Sequence, residues 1–217
     1  MNKHVVIIGT GNVGTALARG FSARGDRVVF ASRAPQGEAA RQALDAVPGS
    51  AAGTLAETLT AADIVCLAVP GSALEAVLAE IAPVVPVGTL VIDATNPLDF
   101  SQGAPRLALG FSDSAGEAVQ RRLPAARVVK AFNSIGAGLF VRPAFTGGAP
   151  DMFIAGNDSA AKDEVAAILR DFGWRGAIDV GAIDASRLLE PLAMLWIDYG
   201  VRRGHWTHGF SLLGQAA

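Results

Sequence analysis

The run VVIIGTGNVG at residues 5–14 restricts this chain to a narrow set of folds. Four β-branched residues, Val5 to Ile8, lead into Gly9, Gly11 and Gly14, which are spaced GxGxxG. Beyond them Val13, Ala16, Leu17 and Phe21 recur at helical offsets, so a strand, a tight turn and a helix are readable around one motif. In a dinucleotide site the first glycine permits the turn, the second lets a pyrophosphate approach the backbone, and the third lets helix and strand pack closely. The unpaired N–H groups that open the helix then face the phosphates. Thr10 and Asn12 either add side-chain hydrogen bonds or stabilise the turn. The alternative for the whole motif is a structural turn between a buried strand and an Ala-rich helix.

The rest of the chain repeats the strand-then-helix pattern. HVVII and RVVFAS read as two parallel strands joined by a helix from Val13 to about Ala23 and the turn ARGD at 23–26. DIVCLAVP (63–70) is a further strand closed by Pro70, which cannot extend a central ladder. Ser72 is expected to cap the next helix, whose Leu74, Val77, Leu78 and Ile81 form one apolar face. GTLVIDATNP (88–97), ARVVKAFNS (126–134) and DMFIAG (151–156) supply more strands. Residues 35–62 offer only a short helix in TLAETLTAAD, and 95–110 read as a loop at the carboxyl edge of the sheet. After Gly156, Ser159 is expected to cap a helix carrying Val165, Ile168, Leu169 and Phe172 on one face. WRGAIDVG (174–181) reads as a short strand. A long helix from about Ala185 to Val201 then carries Leu188, Leu189, Leu192, Ala193, Leu195, Trp196 and Tyr199, a band too wide for one packing face. Pro191 either kinks that helix or opens it. Strands alternating with helices predict an α/β fold: a Rossmann-type parallel sheet with helices on both faces and a small C-terminal helical portion.

Composition narrows the partners. At 217 residues the chain can bury roughly two thirds of its extended surface. Charged residues make up 18% and the formal net charge is −2, which gives no electrostatic reason to expect nucleic acid or a lipid surface. No uncharged apolar run reaches membrane-spanning length. The start MNKHVVIIG has neither a cleavage site nor a long apolar segment, so a cytoplasmic location is expected. Cys66, the single cysteine, lies among strand residues and reads as a small buried hydrophobe rather than a redox or nucleophilic group.

The second strand indicates which dinucleotide is bound. NAD sites place an acid roughly 20 residues beyond the glycine turn to accept the ribose hydroxyl. VVFASRAP (28–35) contains none, and Asp26 lies too early, in the turn before the strand. Ser32 and Arg33 stand where the acid would be, and a hydroxyl with a guanidinium suits the 2′-phosphate of NADP(H). Otherwise Arg33 is a solvated loop arginine.

Assembled in this order, IIGTGNVGTALARGF, VVFASR, VCLAVP, VIDATNP and VVKAFNS resemble the NADPH-dependent coenzyme F420 reductase family, also called F420H2:NADP+ oxidoreductase-like. The resemblance continues through residues 151–195, where the tail ends GAIDASRLLEPLAML. It implies a Rossmann NADP-binding domain over 1–156 and a C-terminal helical portion over 157–217 that completes a cleft. It also implies hydride transfer between NADP(H) and a deazaflavin (F420) or a flavin such as FMN or FAD. Cofactor contacts carry over onto Thr10, Gly11, Asn12 and Val13 at the pyrophosphate, and onto Ser32 and Arg33 at the 2′-phosphate. Ala68, Val69 and Pro70 fall beside the adenosine side, and Asn96 and Pro97 farther along. Ala131, Phe132 and Asn133 match the segment that approaches the nicotinamide. Asn133 suits either that role, orienting the carboxamide, or a cap on the following turn.

No acid–base set has motif support, and ring-to-ring hydride transfer does not require one. His205 and His208 lack a third partner for a metal, so no metal site is expected, and they sit at the surface, at a subunit contact or near substrate. Arg202 and Arg203 either meet an anionic substrate group or end a helix in solvent. Asp179 and Asp184 are expected to turn or cap the chain. Glu190 belongs to the family pattern but has no role readable from sequence. The main alternatives are an NADPH-dependent imine or keto-acid reductase, which needs a proton donor, and a non-catalytic NADP(H)-binding redox sensor. The wide apolar band at 185–201 predicts a homodimer through that helix.

Overall fold

Strict alternation along β1 (His4–Ile8) sends Val5 and Ile7 into one apolar core and Val6 and Ile8 into another, on opposite faces of one sheet. The computed structural model describes residues 2–214. After β1 come α1 (Asn12–Ala23), β2 (Arg27–Ala31), α2 (Glu38–Ala46), β3 (Ala51–Gly53), α3 (Leu55–Leu59), β4 (Ile64–Leu67) and α4 (Gly71–Ile81). β5 (Leu90–Asp93) leads to a small hairpin of β6 (Leu98–Asp99) and β7 (Arg106–Leu107), then α5 (Ala115–Arg122) and β8 (Arg127–Lys130). The chain closes with β9 (Met152–Gly156), α6 (Ser159–Asp171), β10 (Ala177–Asp179) and α7 (Ser186–Arg203).

The main sheet runs β10-β9-β8-β5-β4-β1-β2-β3. From β3 to β8 every pairing is parallel, and the strand order reverses beside β1, between the β2 and β4 sides. That is the order of a Rossmann fold, whose ligand crevice lies at the carboxyl ends of the strands beside the reversal. β9 pairs antiparallel to β8, and β10 pairs parallel to β9, so the sheet is mostly rather than wholly parallel. Residue 156, the expected domain division, separates two neighbouring strands of this one sheet.

One core holds Leu17 and Phe21 of α1 with Val165, Ile168 and Leu169 of α6. Phe172 meets Phe21 edge to face at 5.2 Å, and a Cβ at Gly20 would strike the Phe172 ring. Burying a side chain of that size contributes about 1.5–3 kcal/mol, so α6 is fastened to α1 directly. α3, α4 and α5 cover the opposite face through Leu59, Leu78 and Val119.

Several details differ from the sequence reading. Ser72 does not cap α4, which begins at Gly71 with Pro70 before it and no side-chain cap. Ser159 is already helical in α6, and the Asp158 carboxylate caps it by accepting from the Ala161 N–H at 2.8 Å. The segment 35–62 contains α2 and β3 besides the expected short helix, and 95–110 contains the β6–β7 hairpin. Pro191 lies inside α7, which starts at Ser186, so it does not open the helix. The α7 band is not buried all round: Leu189, Ala193 and Trp196 are buried, whereas Leu188 and Leu195 are 67% and 57% exposed. No helix among the described residues is long and apolar enough to cross a membrane.

Candidate active site

The glycine turn after β1 is built by two close approaches. Gly9 has φ +121°, a region that favours glycine, and a Cβ there would lie 2.3 Å from the Ala68 carbonyl oxygen. A Cβ on Gly14 would lie 2.0 Å from the Gly9 carbonyl oxygen, so α1 rests on the turn without a side chain between them. At Gly11 the reverse holds, since a Cβ would meet nothing within 4 Å. Gly11 precedes α1, no side chain caps the helix, and its first turn has no acidic residue. Open space above unpaired N–H groups at a helix start is what a pyrophosphate requires. Thr10 and Val13 are half-buried beside it and Asn12 is exposed.

At the end of β2, Ser32 is tied down through its N–H, which donates to the Gly53 carbonyl, and its hydroxyl, which accepts from Ala34 N–H at 3.1 Å. Arg33 is exposed and makes no ion pair among the described residues. The fit is to a phosphorylated ribose: there is a free guanidinium, a hydroxyl and no carboxylate at the strand end.

Ala68, Val69 and Pro70 leave β4 beside the glycine turn, with Ala68 N–H donating to the Ile8 carbonyl. Gly71 then backs onto the exit of β5, where a Cβ would fall 2.5 Å from the Asn96 carbonyl oxygen and 2.8 Å from Pro97 Cα. Asn96 reaches across to the exit of β8: its Nδ2 donates to the Asn133 carbonyl at 2.9 Å, and Asn133 Nδ2 donates back to Asn96 Oδ1 at 3.0 Å. Asn133 Nδ2 also donates to the Leu189 carbonyl in α7 at 2.9 Å, while its Oδ1 is buried without a partner. Asn133 therefore joins two elements rather than capping the following turn. Ala131 and Phe132 present only backbone to the cleft, because both side chains are buried and the Phe132 ring packs on Phe140 at 4.9 Å. Phe132 has φ +65°, a strained conformation for a non-glycine residue, immediately before Asn133.

Beneath these amides lies a fully buried charge cluster that sequence reading did not assemble. The Lys130 ammonium donates to Asp93 Oδ2 at 2.9 Å and to the Thr95 carbonyl at 2.7 Å, and it pairs with Glu190 Oε1 at 2.8 Å. Asp93 Oδ1 accepts from the Thr95 N–H and hydroxyl. Glu190 also accepts from the N–H groups of Ala115 and Gly116 at the start of α5, which stabilises the second carboxylate. Burial alone would lower the Lys130 pKa, but Asp93 and Glu190 outweigh it and hold the ammonium above its ordinary value. The signal was present: Asp93 and Lys130 end two strands in matching register, each directly after a pair of buried apolar residues, and buried charges must be paired.

A cavity of about 990 Å³ adjoins this end of the cleft, lined by residues 107–111, 180–182, Asp184, Ala185, Arg187, Leu188 and Pro191. Its wall is bound to the β5 exit, since Ala108 N–H donates to the Pro97 carbonyl at 2.7 Å. Arg187 is held by Glu117 at 2.5–2.8 Å, and that pairing keeps the Glu117 carboxyl below its usual range. His208 is engaged elsewhere, stacked on Trp196 at 4.6 Å with Nε2 donating to the Trp196 carbonyl. Arg202 pairs with Asp198 on the exposed end of α7. Asp179 receives the Gly181 N–H and pairs with Lys162, and Asp184 lies in a 3₁₀ turn at Ile183–Ala185.

The model of the family described as NADP oxidoreductase, coenzyme F420-dependent, matches residues 4–97. The F420-dependent NADP reductase of Methanothermobacter thermautotrophicus is 30% identical over 213 residues, covering 92% of this chain and 90% of the relative. A crystal structure from Arthrobacter sp. FB24, provisionally assigned as an F420-dependent NADP-reductase, superposes with a TM-score of 0.92 at 33% identity. That match spans 98% of this chain and all of the other. A Sinorhizobium meliloti protein without assigned function superposes at 0.69 with 31% identity, over 86% of this chain and 88% of its own. This chain belongs to the coenzyme F420-dependent NADP oxidoreductase family and is an NADP(H)-dependent oxidoreductase.

Proposed function

We propose that the enzyme transfers hydride between NADP(H) and a flat ring system, a deazaflavin (F420) or a flavin (FMN or FAD). The observation that carries this reading is the largely apolar cavity of about 990 Å³ whose wall includes Leu188, next to the Leu189 carbonyl that Asn133 holds, and Ala108, whose N–H donates to the Pro97 carbonyl. Ligand pockets of this kind combine apolar walls with a few placed polar groups. On this reading the α1 start holds the pyrophosphate, Ser32 and Arg33 hold the 2′-phosphate, and Ala68 to Pro70 line the adenosine side. The backbone at 131–133 and the Asn96–Asn133 pair border the nicotinamide. Bound NADPH supplies the hydride. The protein contributes alignment and, through Leu107, Leu109, Leu188 and Pro191, exclusion of water. An imine or keto-acid reduction would need a proton donor beside the nicotinamide, and the groups at that place are amides.

The exposed Leu188, Leu195 and Tyr199 side of α7 supports a homodimer through this helix, checked by molecular mass in light scattering. The reaction is tested by stopped-flow oxidation of NADPH with F420, FMN, FAD and riboflavin supplied separately. Rapid oxidation by at least one of them is expected. Turnover with small imines or keto acids and none with any ring acceptor would overturn the reading. Tight NADPH binding with no turnover on any acceptor would point instead to a sensor.

A further inference from the structure

We propose that Glu190, acting through Lys130, is a positioning residue for the nicotinamide half of the cofactor. The proposal rests on the cofactor lying across the strand ends as read above, but not on which acceptor it serves. Lys130 fixes the Thr95 carbonyl, and Thr95 precedes Asn96, the residue that exchanges hydrogen bonds with Asn133. Asn133 in turn holds the Leu189 carbonyl, and Leu189 precedes Glu190, which returns to Lys130. The loop is closed: the β5 exit, the β8 exit and the start of α7 are locked together by two adjacent bridges. Lys130 thus has three oxygen partners within 3 Å, and without Glu190 the buried ammonium would keep Asp93 as its one carboxylate partner. Glu190 spans the distance between Lys130 and the α5 N–H groups, and it has to reach both. Its length, rather than its charge alone, therefore sets where α7 stands relative to the amide pair.

The test compares NADPH with adenosine 2′,5′-bisphosphate, which carries the phosphorylated ribose but no nicotinamide, by calorimetry on the full chain. Wild type is expected to prefer NADPH. Glu190→Ala and Glu190→Asp should each cut that preference by about tenfold, the scale of one charge-assisted hydrogen bond, while leaving the bisphosphate affinity within about twofold. Glu190→Gln keeps the length, but whichever way its amide turns the NH2 group faces a donor, so it should lose part of the preference and fall between wild type and Glu190→Ala. A merely structural role would lower the affinity for both ligands alike in every variant and leave the preference at its wild-type value. Glu190→Asp keeps the buried charge and carries the test if Glu190→Ala does not fold. Glu190→Asp binding both ligands like wild type, or losing affinity for both equally, would overturn the proposal alone. A wild type that binds NADPH no better than the bisphosphate would overturn the placement of the nicotinamide and the proposal with it.

Discussion

Asn96 and Asn133 hold each other reciprocally, one amide donating to the other's backbone carbonyl and the second donating back to the first's side-chain oxygen. Asn133 Nδ2 thus faces two acceptors, Asn96 Oδ1 and the Leu189 carbonyl. Asn133→Ala leaves both without that donor and should destabilise the protein by about 1–3 kcal/mol. Asn133→Asp should cost more, because a carboxylate would face two oxygens in a buried place. Urea unfolding of the two variants checks this. Asp tolerated better than Ala would mean that the amide nitrogen does not point at these carbonyls.

Gly11 and Gly14 separate ligand binding from folding. A methyl at Gly11 meets no protein atom within 4 Å and φ is −81°, so Gly11→Ala should fold normally. Its NADPH affinity should fall by about 1–3 kcal/mol, the cost of an extra methyl in a close-packed contact. At Gly14 the same methyl strikes the Gly9 carbonyl oxygen, so Gly14→Ala should lose about 3 kcal/mol or more of stability. Thermal unfolding with and without NADPH distinguishes the two. A Gly11→Ala variant with wild-type affinity would remove the turn from the binding site.

Arg33 has no competing ion pair among the described residues, which leaves its guanidinium free for a ligand. Arg33→Ala should weaken NADPH binding about 10- to 100-fold, as expected for lost hydrogen bonds to a charged group, and leave NADH nearly unchanged. Calorimetry with both cofactors decides it, and equal losses would sink the assignment of Arg33 to the 2′-phosphate.

The parts of this fold that sequence exposed are those where one local rule dominates. The glycine turn, the buried strands β1, β4, β5 and β8, and the apolar face of α6 each carry their own period or spacing. α2 and α5 carry little: α2 buries only Ala40 and Ala43, and α5 only Ala115, Gly116 and Val119, so neither displays a strong apolar stripe. The direction of β9 depends on its neighbour rather than on its own residues. In the candidate site, Ser32 and Arg33 are picked out by counting from the glycines. Lys130, Asp93 and Glu190 could be suspected singly, but their meeting depends on the β5–β8 register and the placement of α7. Gly71 gave no signal, because its close approach to Asn96 is a tertiary fact.

Cys66 is fully buried in β4, and burial pushes its thiol far above the ordinary range. The thiolate is the reactive form, so the native protein should show no reaction with a disulfide reagent at neutral pH and full reaction in denaturant. Ellman titration reads this directly. Rapid labelling of the folded protein would show that β4 opens under native conditions.

His208 joins the C-terminal segment to α7: its ring stacks on Trp196, Nε2 donates to the Trp196 carbonyl, and the Trp196 indole N–H donates to the His208 carbonyl at 2.8 Å. Tyr199 and His205 close the cluster edge-on. An imidazole held this way ties the two segments together, and it is not expected to donate a proton to substrate. His208→Ala should lower stability by about 1–3 kcal/mol through the lost stacking and hydrogen bond. The single-turnover rate of hydride transfer from NADPH, followed with 4-deuterated cofactor, should change by less than tenfold in His208→Ala and His205→Ala. General acid–base catalysis, where it operates, contributes about 10²–10⁴-fold. A loss of two decades with cofactor binding intact would therefore make that histidine an acid and return the reaction to an imine or keto-acid reduction.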